Sequence, residues 1–462
     1  MSQSRKKSSV AVGLALCAWA CSGALALADP VTEFQLPNGL KVLVKPDHRA
    51  PVVTSQIWYK VGSSYESSGY TGLSHVLEHM MFKGTPKTPP GRFSRIIAEQ
   101  GGRDNAFTSR DYTAYFQQLS ADRLPISFAL ESDRMKNLLL REEDFKKELE
   151  VVKEERRLRT ENQPRARTEE MLMATAFVAS GYHHPVIGWM GDLDSLKVTD
   201  LRPWYQRFYS PNNATLVVVG DVQPQAVKAL AEKYYGPIKP ATLPELKPRP
   251  EPAQEGERLV RVRAPAQIPY LLMGYHVPRL TRQGPNEEAY ALEVLAGLLS
   301  SGKSARLEQN LVRGSQIASG VEAGYELVSR DPGLFYLGGT PASGKSNDDL
   351  LKSLEAEIRR LQEQPVGDAE LEKVKAQLAA GETFSRDSGF YQAMQLGTYE
   401  TVGLDWRQYE QYVPAIRAVT PAQVQAVARK YLVDRNRTVA ELDPLPPVNP
   451  QANTQGAPAH AH

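Results

Sequence analysis

Apolar and polar positions divide the chain into two runs of mixed elements. Leu40–Lys45 and Val52–Val61 carry strand-like patterns, and further strands are predicted at Ala114–Leu119 and Thr215–Val219. Gly72–Phe82 and Phe145–Glu161 instead space their apolar residues as one face of a helix does. Leu243–Glu257 is rich in Pro and charge, has no apolar period, and predicts an extended, exposed linker. After it the order recurs, with a strand at Pro269–Tyr275, a helix at Glu287–Leu299, a strand at Leu334–Thr340 and a helix at Asn347–Gln364. Mixed order of this kind predicts α+β domains, each a mixed, mostly antiparallel sheet with helices packed on one face. The recurrence predicts two homologous domains, 29–242 and 258–445, joined by the linker 243–257. The stretch 446–462 holds Pro, Ala, Asn and Gly without core-forming residues, which predicts a disordered tail and makes His460 and His462 incidental.

The start of the chain reads differently. Arg5, Lys6 and Lys7 precede an apolar stretch from Val10 to Leu27, and Ala26-Leu27-Ala28 is a small-x-small cleavage site, so residues 1–28 read as a secretory signal peptide. The alternative is an uncleaved membrane anchor. Lipidation at Cys21 is a weaker reading, because Ala18-Trp19-Ala20 is a poor run-up to a lipidated cysteine. Cleavage removes Cys17 and Cys21, the only 2 cysteines, together with three basic residues. An exported chain without cysteine has neither disulfides nor thiolate chemistry, so any metal must be held by His and carboxylates. The expected address is the periplasm, or the membrane if the signal is retained.

Composition narrows the class further. The chain's 462 residues suffice for two or three domains, and 41% hydrophobic with 23% charged residues is a globular balance. A mean hydropathy of −0.41 with one long apolar run excludes a polytopic membrane protein. A net charge of +2 gives no footprint for nucleic acid.

The candidate chemistry lies in His75-Val76-Leu77-Glu78-His79. On a helix His75 and His79 share a face and can offer two imidazoles to one ion, with Glu78 on the same side. Two neutral imidazoles and a carboxylate suit Zn²⁺ with an open position, where a water of lowered pKa could yield its proton to Glu78. Met80, Met81 and Phe82 argue that this helix is packed into a core. A third ligand must come from elsewhere, and Phe145–Glu161 offers Glu148 and Glu155 on one face, with Glu154 about a quarter-turn away.

The segment from Gly72 to Thr85, GLSHVLEHMMFKGT, resembles the zinc signature of the pitrilysin/insulinase family of inverzincin metallopeptidases, which includes the mitochondrial processing peptidase. The resemblance implies Zn²⁺ held by His75, His79 and Glu155, with Glu78 as general base and Glu148 supporting the site. Phe34–Lys45 is similar to the family's opening hairpin. Asn105-Ala106-Phe107-Thr108, followed by Asp111-Tyr112-Thr113, is similar to an edge strand on which substrate lies extended, which implies that Asn105, Ala106 and Thr108 pair with substrate. His183-His184-Pro185 and Gly188 resemble a structural loop of the family, not ligands.

The pattern breaks in the second half. Family members complete in one chain carry an Arg and a Tyr there that reach the substrate carbonyl, and the matching positions here are Val312 and Ser319. Arg263 and Tyr270 have the right spacing but enter the first strand of that half. The resemblance therefore implies half of a clamshell, the zinc-bearing subunit of a heterodimer whose homologous partner carries the Arg/Tyr pair, or else a dimer with a second copy of itself. The expected function is a zinc metalloendopeptidase acting on peptides or small unfolded proteins in extended form. A non-catalytic assembly or binding subunit that keeps the motif is the alternative, and a solute- or peptide-binding protein with a structural zinc is a third. Glu78 argues against both, because a structural site has no use for a general base.

Overall fold

In a computed structural model that describes residues 30–446, the strand-forming segments assemble into two sheets. The signal-peptide reading, and the tail reading beyond Pro446, lie outside the described residues. The first sheet contains β1 (Thr32–Gln35), β2 (Lys41–Pro46), β3 (Val52–Tyr59), β4 (Arg103–Thr108), β5 (Thr113–Ser120) and β6 (Ala214–Gly220), in the order β1-β2-β6-β3-β5-β4. The second contains β7 (Arg258–Pro265), β8 (Tyr270–Val277), β9 (Ala318–Tyr325), β10 (Gly333–Pro341) and β11 (Arg437–Leu445), in the order β7-β11-β8-β10-β9. Apart from β1 the two orders are the same. Each sheet has one parallel pair, β2 with β6 and β7 with β11, and its other pairs are antiparallel. The recurrence seen along the sequence is thus a repeated topology, and the α+β class holds.

In chain order the helices are α1 (Leu73–Met80), α2 (Arg92–Glu99), α3 (Leu124–Asn137), α4 (Glu142–Arg156), α5 (Pro164–Ala176), α6 (Met190–Ser195), α7 (Val198–Phe208) and α8 (Pro224–Tyr234) before the linker. After it come α9 (Glu287–Ser300), α10 (Asn347–Glu363), α11 (Asp368–Ser385), α12 (Gly389–Thr401), α13 (Tyr412–Ala418) and α14 (Pro421–Tyr431). None of the described helices is long and apolar enough to cross a membrane.

Most helices cover one face of their own sheet, as expected. The opposite faces are not left to solvent. Helix α12 of the second half packs on β3 and β6, where Leu43, Trp58, Val217 and Val219 join the core built around α9. Reciprocally, α5 of the first half packs on β7, β8 and β11, where Leu172 and Ala176 meet Val262, Leu272 and Ala440. Alternate residues of one strand therefore serve two cores. Leu216 and Val218 face the first-half helices while Val217 and Val219 face α12, so β6 reads as an unbroken apolar run.

Residues 239–257 contain neither helix nor strand and are largely exposed, yet they are anchored. Glu251 accepts the N–H groups of Val178, Ala179 and Ser180 at 2.8–2.9 Å, and the buried Gln254 donates to the Arg437 carbonyl at 2.6 Å.

The seam on Trp58 is tight, because a Cβ placed on Gly397 of α12 would lie 2.1 Å from the indole ring. Gly→Ala in an exposed helix gains up to about 1 kcal/mol. At this site overpacking wins, and Gly397→Ala should cost about 1–3 kcal/mol, read as a lowered urea midpoint. A gain in stability would mean that α12 does not clamp Trp58.

Candidate metal centre and cleft

Helix α1 starts at Gly72, whose φ of +91° belongs to the left-handed region; a Cβ there would also meet Leu193 Cδ2 at 2.8 Å and the Ile187 carbonyl at 2.9 Å. No side chain of the first turn caps the helix. The carboxylate of Glu66, buried six residues upstream, does so instead, accepting from the N–H of Gly72 and of Ser74, each at 2.7 Å. It satisfies two N–H groups at the start of the helix, where the helix dipole favours the charged form of the carboxyl. Burial pushes the Glu66 pKa up to about 8, with the two N–H donors opposing the shift.

This anchored helix packs against α4, and the crossing brings the predicted ligands together. The rings of His75 and His79 lie with centroids 4.9 Å apart. Glu155 places one oxygen 3.9 Å from His75 Nε2 and the other 3.4 Å from His79 Nε2. One ligand atom from each residue lies within 4.8 Å of the others. Ligands about 2.0–2.2 Å from a tetrahedral zinc stand roughly 3.3–3.6 Å apart, so two imidazoles and a carboxylate offer donors of the right kind near the spacing that ion needs. The His75 pKa is pulled down to about 3, chiefly by burial and then by His79 and Arg159, which leaves a neutral imidazole able to donate a lone pair. Its Nδ1 is buried without a partner.

The surrounding charges are ordered around this cluster. Glu148 places one oxygen 3.3 Å from His79 Nδ1 and the other 2.6 Å from Lys83 Nζ, which fixes the tautomer that presents Nε2. Arg159 lies on the π-helical turn Arg157–Glu161 that follows α4, and reaches Glu155 at 2.6 Å while staying 76% exposed. Glu154 points away and pairs with Arg157.

Glu78 faces the same cleft. The hydroxyl of Thr108 donates to it at 2.5 Å. Burial pushes the Glu78 pKa up, and that hydrogen bond holds it back. Thr108 ends β4, the edge strand of the first sheet. Asn105 lies on the same strand, its side chain accepting from the Ala106 N–H at 2.9 Å. Ser109 bonds to Tyr112 across the turn, so strict alternation leaves the backbone groups of Ala106 and Thr108 turned away from β5.

The cleft encloses about 830 Å³ between the two halves. His75, His79 and Glu155, with Glu78 and β4, form one wall, and Tyr270, Glu322, Glu326 and Tyr336 line the other. Tyr270, set aside in the sequence because it enters the first strand of the second half, donates to Glu322 at 2.8 Å beneath the guanidinium of Arg165, 4.5 Å from its ring. Arg263 lies elsewhere, on β7 beside Asp443. Neither Val312 nor Ser319 lines the cleft, Val312 packing on the second-half core and the Ser319 hydroxyl meeting the Thr340 carbonyl. His183 and His184 border the cleft outside the ligand cluster, His183 Nδ1 lying 2.6 Å from the Ser180 carbonyl. Sequence reasoning missed Glu66, Arg159 and Arg165, and only the acidic residue just upstream of a Gly-initiated helix offered a signal.

Residues 41–188 match the family model described as Insulinase (Peptidase family M16), and residues 195–378 match that of the Peptidase M16 inactive domain. The chain is 32% identical over 415 residues to the zinc protease PqqE of Helicobacter pylori, covering 88% of this chain and 92% of that one. It is 26% identical over 430 residues to the mitochondrial-processing peptidase subunit beta of Lentinula edodes, covering 89% and 90%. The solved structure of a protease from Helicobacter pylori superposes with a TM-score of 0.85 at 30% identity, over 90% of this chain and all of that one. The periplasmic protease PqqL from Escherichia coli shares the fold at a TM-score of 0.73 and 20% identity, over 94% of this chain and 51% of its own length.

The Glu148 contact makes a prediction about metal affinity. Glu148→Gln should weaken zinc binding by about 10–100-fold, and Glu155→Ala should release the metal, both measured by competition with a chelator of known affinity. Unchanged affinity in Glu148→Gln would mean that this carboxylate serves only Lys83.

Proposed function

The chain belongs to the pitrilysin/insulinase (M16) peptidase family, and on that premise we propose that it is a zinc metalloendopeptidase cutting peptides or small unfolded proteins bound in extended form. The observation that carries this reading is the placement of Glu78, which stands in the cleft beside His75, His79 and Glu155 and is held by a hydroxyl, not neutralised by a cation. A carboxylate so placed has no part in a purely structural site.

His75, His79 and Glu155 would hold Zn²⁺, with Glu148 fixing the ring of His79. When bound, zinc supplies a Lewis acid that polarises a scissile carbonyl and lowers the pKa of water. Glu78 takes the proton of the attacking water and then gives it to the departing amine. Its raised pKa makes it the stronger base, and Thr108 fixes which oxygen is free. The outward carbonyl of Ala106 and the backbone groups of Thr108 offer an edge to which an extended peptide can pair, with the Asn105 side chain holding the Ala106 N–H beside them.

The partner follows from the second half. Val312 and Ser319 stand where the Arg/Tyr pair is expected, and the chain spans about half of the two-part relative PqqL. Both support a heterodimer in which this chain is the zinc-bearing subunit and a homologous chain supplies the pair; a second copy of this chain is the other candidate. The linker at 243–257 would join a catalytic domain, 29–242, to a second domain, 258–445. Residues 1–28 would direct export to the periplasm and leave no stable membrane span once cleaved.

Glu78→Gln should lower kcat/KM on a quenched-fluorescent peptide by about 100- to 10,000-fold while zinc content is unchanged. The assay is run with the chain alone and with a co-expressed homologue carrying the Arg/Tyr pair. Cleavage only in the mixture supports the heterodimer, and cleavage by the chain alone removes it. Zinc bound without cleavage in either sample would replace the peptidase by a non-catalytic assembly subunit.

A further inference from the structure

Beside the cleft, next to its lining residues Arg110, Tyr182 and Gly333, three segments converge on the buried carboxylate of Asp111. Its Oδ2 accepts the hydroxyl of Tyr182 at 2.6 Å and the N–H of Arg330 at 2.9 Å, and its Oδ1 lies 3.2 Å from the Ser64 hydroxyl. The Tyr182 hydroxyl in turn accepts the N–H of Asp331 at 3.1 Å. Ser64 and Tyr182 belong to the first half, whereas Arg330 and Asp331 form the β9–β10 turn of the second. The guanidinium of Arg330 lies 4.0 Å from the ring of Tyr65 and pairs with Asp331. The backbone is packed closely here, since a Cβ on Gly62 would lie 2.3 Å from the Ser109 carbonyl and one on Gly181 2.1 Å from that of Ser64.

Both walls of the cleft leave this joint within a few residues. Thr108, the donor to Glu78, precedes Asp111 by three positions, while Gly333 and Leu334 of the opposite wall follow Arg330 by three and four. A carboxylate that accepts donors from both halves at such a point constrains the distance between them. Its loss would leave a buried hydroxyl and a half-buried N–H without their acceptor, which favours opening of the joint. Burial and the adjacent carboxylate push the Tyr182 pKa up, so its hydroxyl remains a donor.

We infer that Asp111 is a positioning residue that sets the separation of the two cleft walls, and thereby governs cleavage of peptides long enough to touch both sheets. The inference rests on the peptidase reading above and adds to it a dependence on substrate length.

The test compares wild type, Asp111→Ala, Asp111→Asn and Tyr182→Phe as full-length chains of equal zinc content, each alone and with the co-expressed homologue that carries the Arg/Tyr pair, and reads the sample in which wild type cleaves. Two quenched peptides are used, one of about eight residues, enough to cover β4, and one of about 25 residues, able to reach the second sheet. Asp111→Ala and Tyr182→Phe should lower the long-to-short ratio of kcat/KM by about tenfold, mainly through KM for the long peptide. Asp111→Asn, which keeps one oxygen to accept from Arg330 or Tyr182, should recover most of that loss. Hydrogen exchange should lose protection at Arg330 and Asp331 while β4 is unchanged. Tyr182→Phe keeps the ring and serves if Asp111→Ala does not fold. Parallel losses on both peptides, or an unchanged ratio, would overturn the inference. Wild type that cuts neither peptide in either sample overturns the peptidase reading and the length dependence with it. In that case retained protection at Arg330 and Asp331 in the variants would remove the joint as well.

Discussion

Neither sheet can bury both of its faces with helices from its own half, and the exchange of α5 and α12 is what closes the two cores. Trp58 illustrates the scale. An aromatic side chain of that size buries on the order of 200 Å², worth roughly 5 kcal/mol by apolar area, and its partner surface is the backbone of α12 at Gly397. A half folded alone would present that surface to water. The exchange therefore couples the halves during folding, and it fixes the relation between the sheet that carries β4 and the sheet that faces it across the cleft. The exchanged helices bring the two sheets together, and the Asp111 joint acts beside the cleft, where its two walls part.

Within that frame the candidate centre is an electrostatic construction around one desolvated helix. Glu78, Glu148 and Glu155 bring three carboxylates to two histidines, of which His75 is held neutral by burial. Lys83 and Arg159 offset part of this charge from the outside, Lys83 through Glu148 and Arg159 through Glu155. Carboxylates packed so closely in a partly buried site repel one another unless a cation lies among them, so the cluster favours a divalent ion on charge as well as on geometry. Glu66 anchors the start of α1 from the opposite side, which lets two helices meet at the ligands without a polar side chain in the first turn of α1.

The elements that were legible in the sequence are those whose apolar pattern answers to one neighbour. Leu73, Val76, Leu77 and Met80 form one stripe, and α1 is where they place it. Helices α5 and α12 were missed because each is wedged between a sheet and further structure, so their buried positions follow no single stripe. The unbroken run Leu216–Val219 did carry a sign of the exchange, since only a strand covered on both faces needs it. In the site, helical spacing sufficed for His75, Glu78 and His79. Glu155 needed the family resemblance, because contact between α1 and α4 is tertiary. Asp111 was read only as part of the edge-strand segment and Tyr270 was set aside for the same reason: an Asp in a turn and a Tyr opening a strand look ordinary until the opposite half is folded against them.

The repeated topology also explains why only one half carries this chemistry. Helix α9 holds the place in the second repeat that α1 holds in the first, directly after the strand beside the parallel pair. It is packed by β9, α11, α13 and α14, and its Leu292, Leu295, Leu298 and Leu299 are buried. A His or Glu at those positions would be desolvated without a ligand or a partner, at a cost of several kcal/mol for the charged form. Helix α1 is shorter and meets only α4, α7 and β4 closely, so one side remains open to the cleft and can hold polar groups. The second repeat can then be apolar where the first must be polar. The core built on α9 extends to Trp58, Val217 and Val219 of the first sheet, so it holds in place, through α12, the same strands that carry β4 and the general-base candidate's hydroxyl partner.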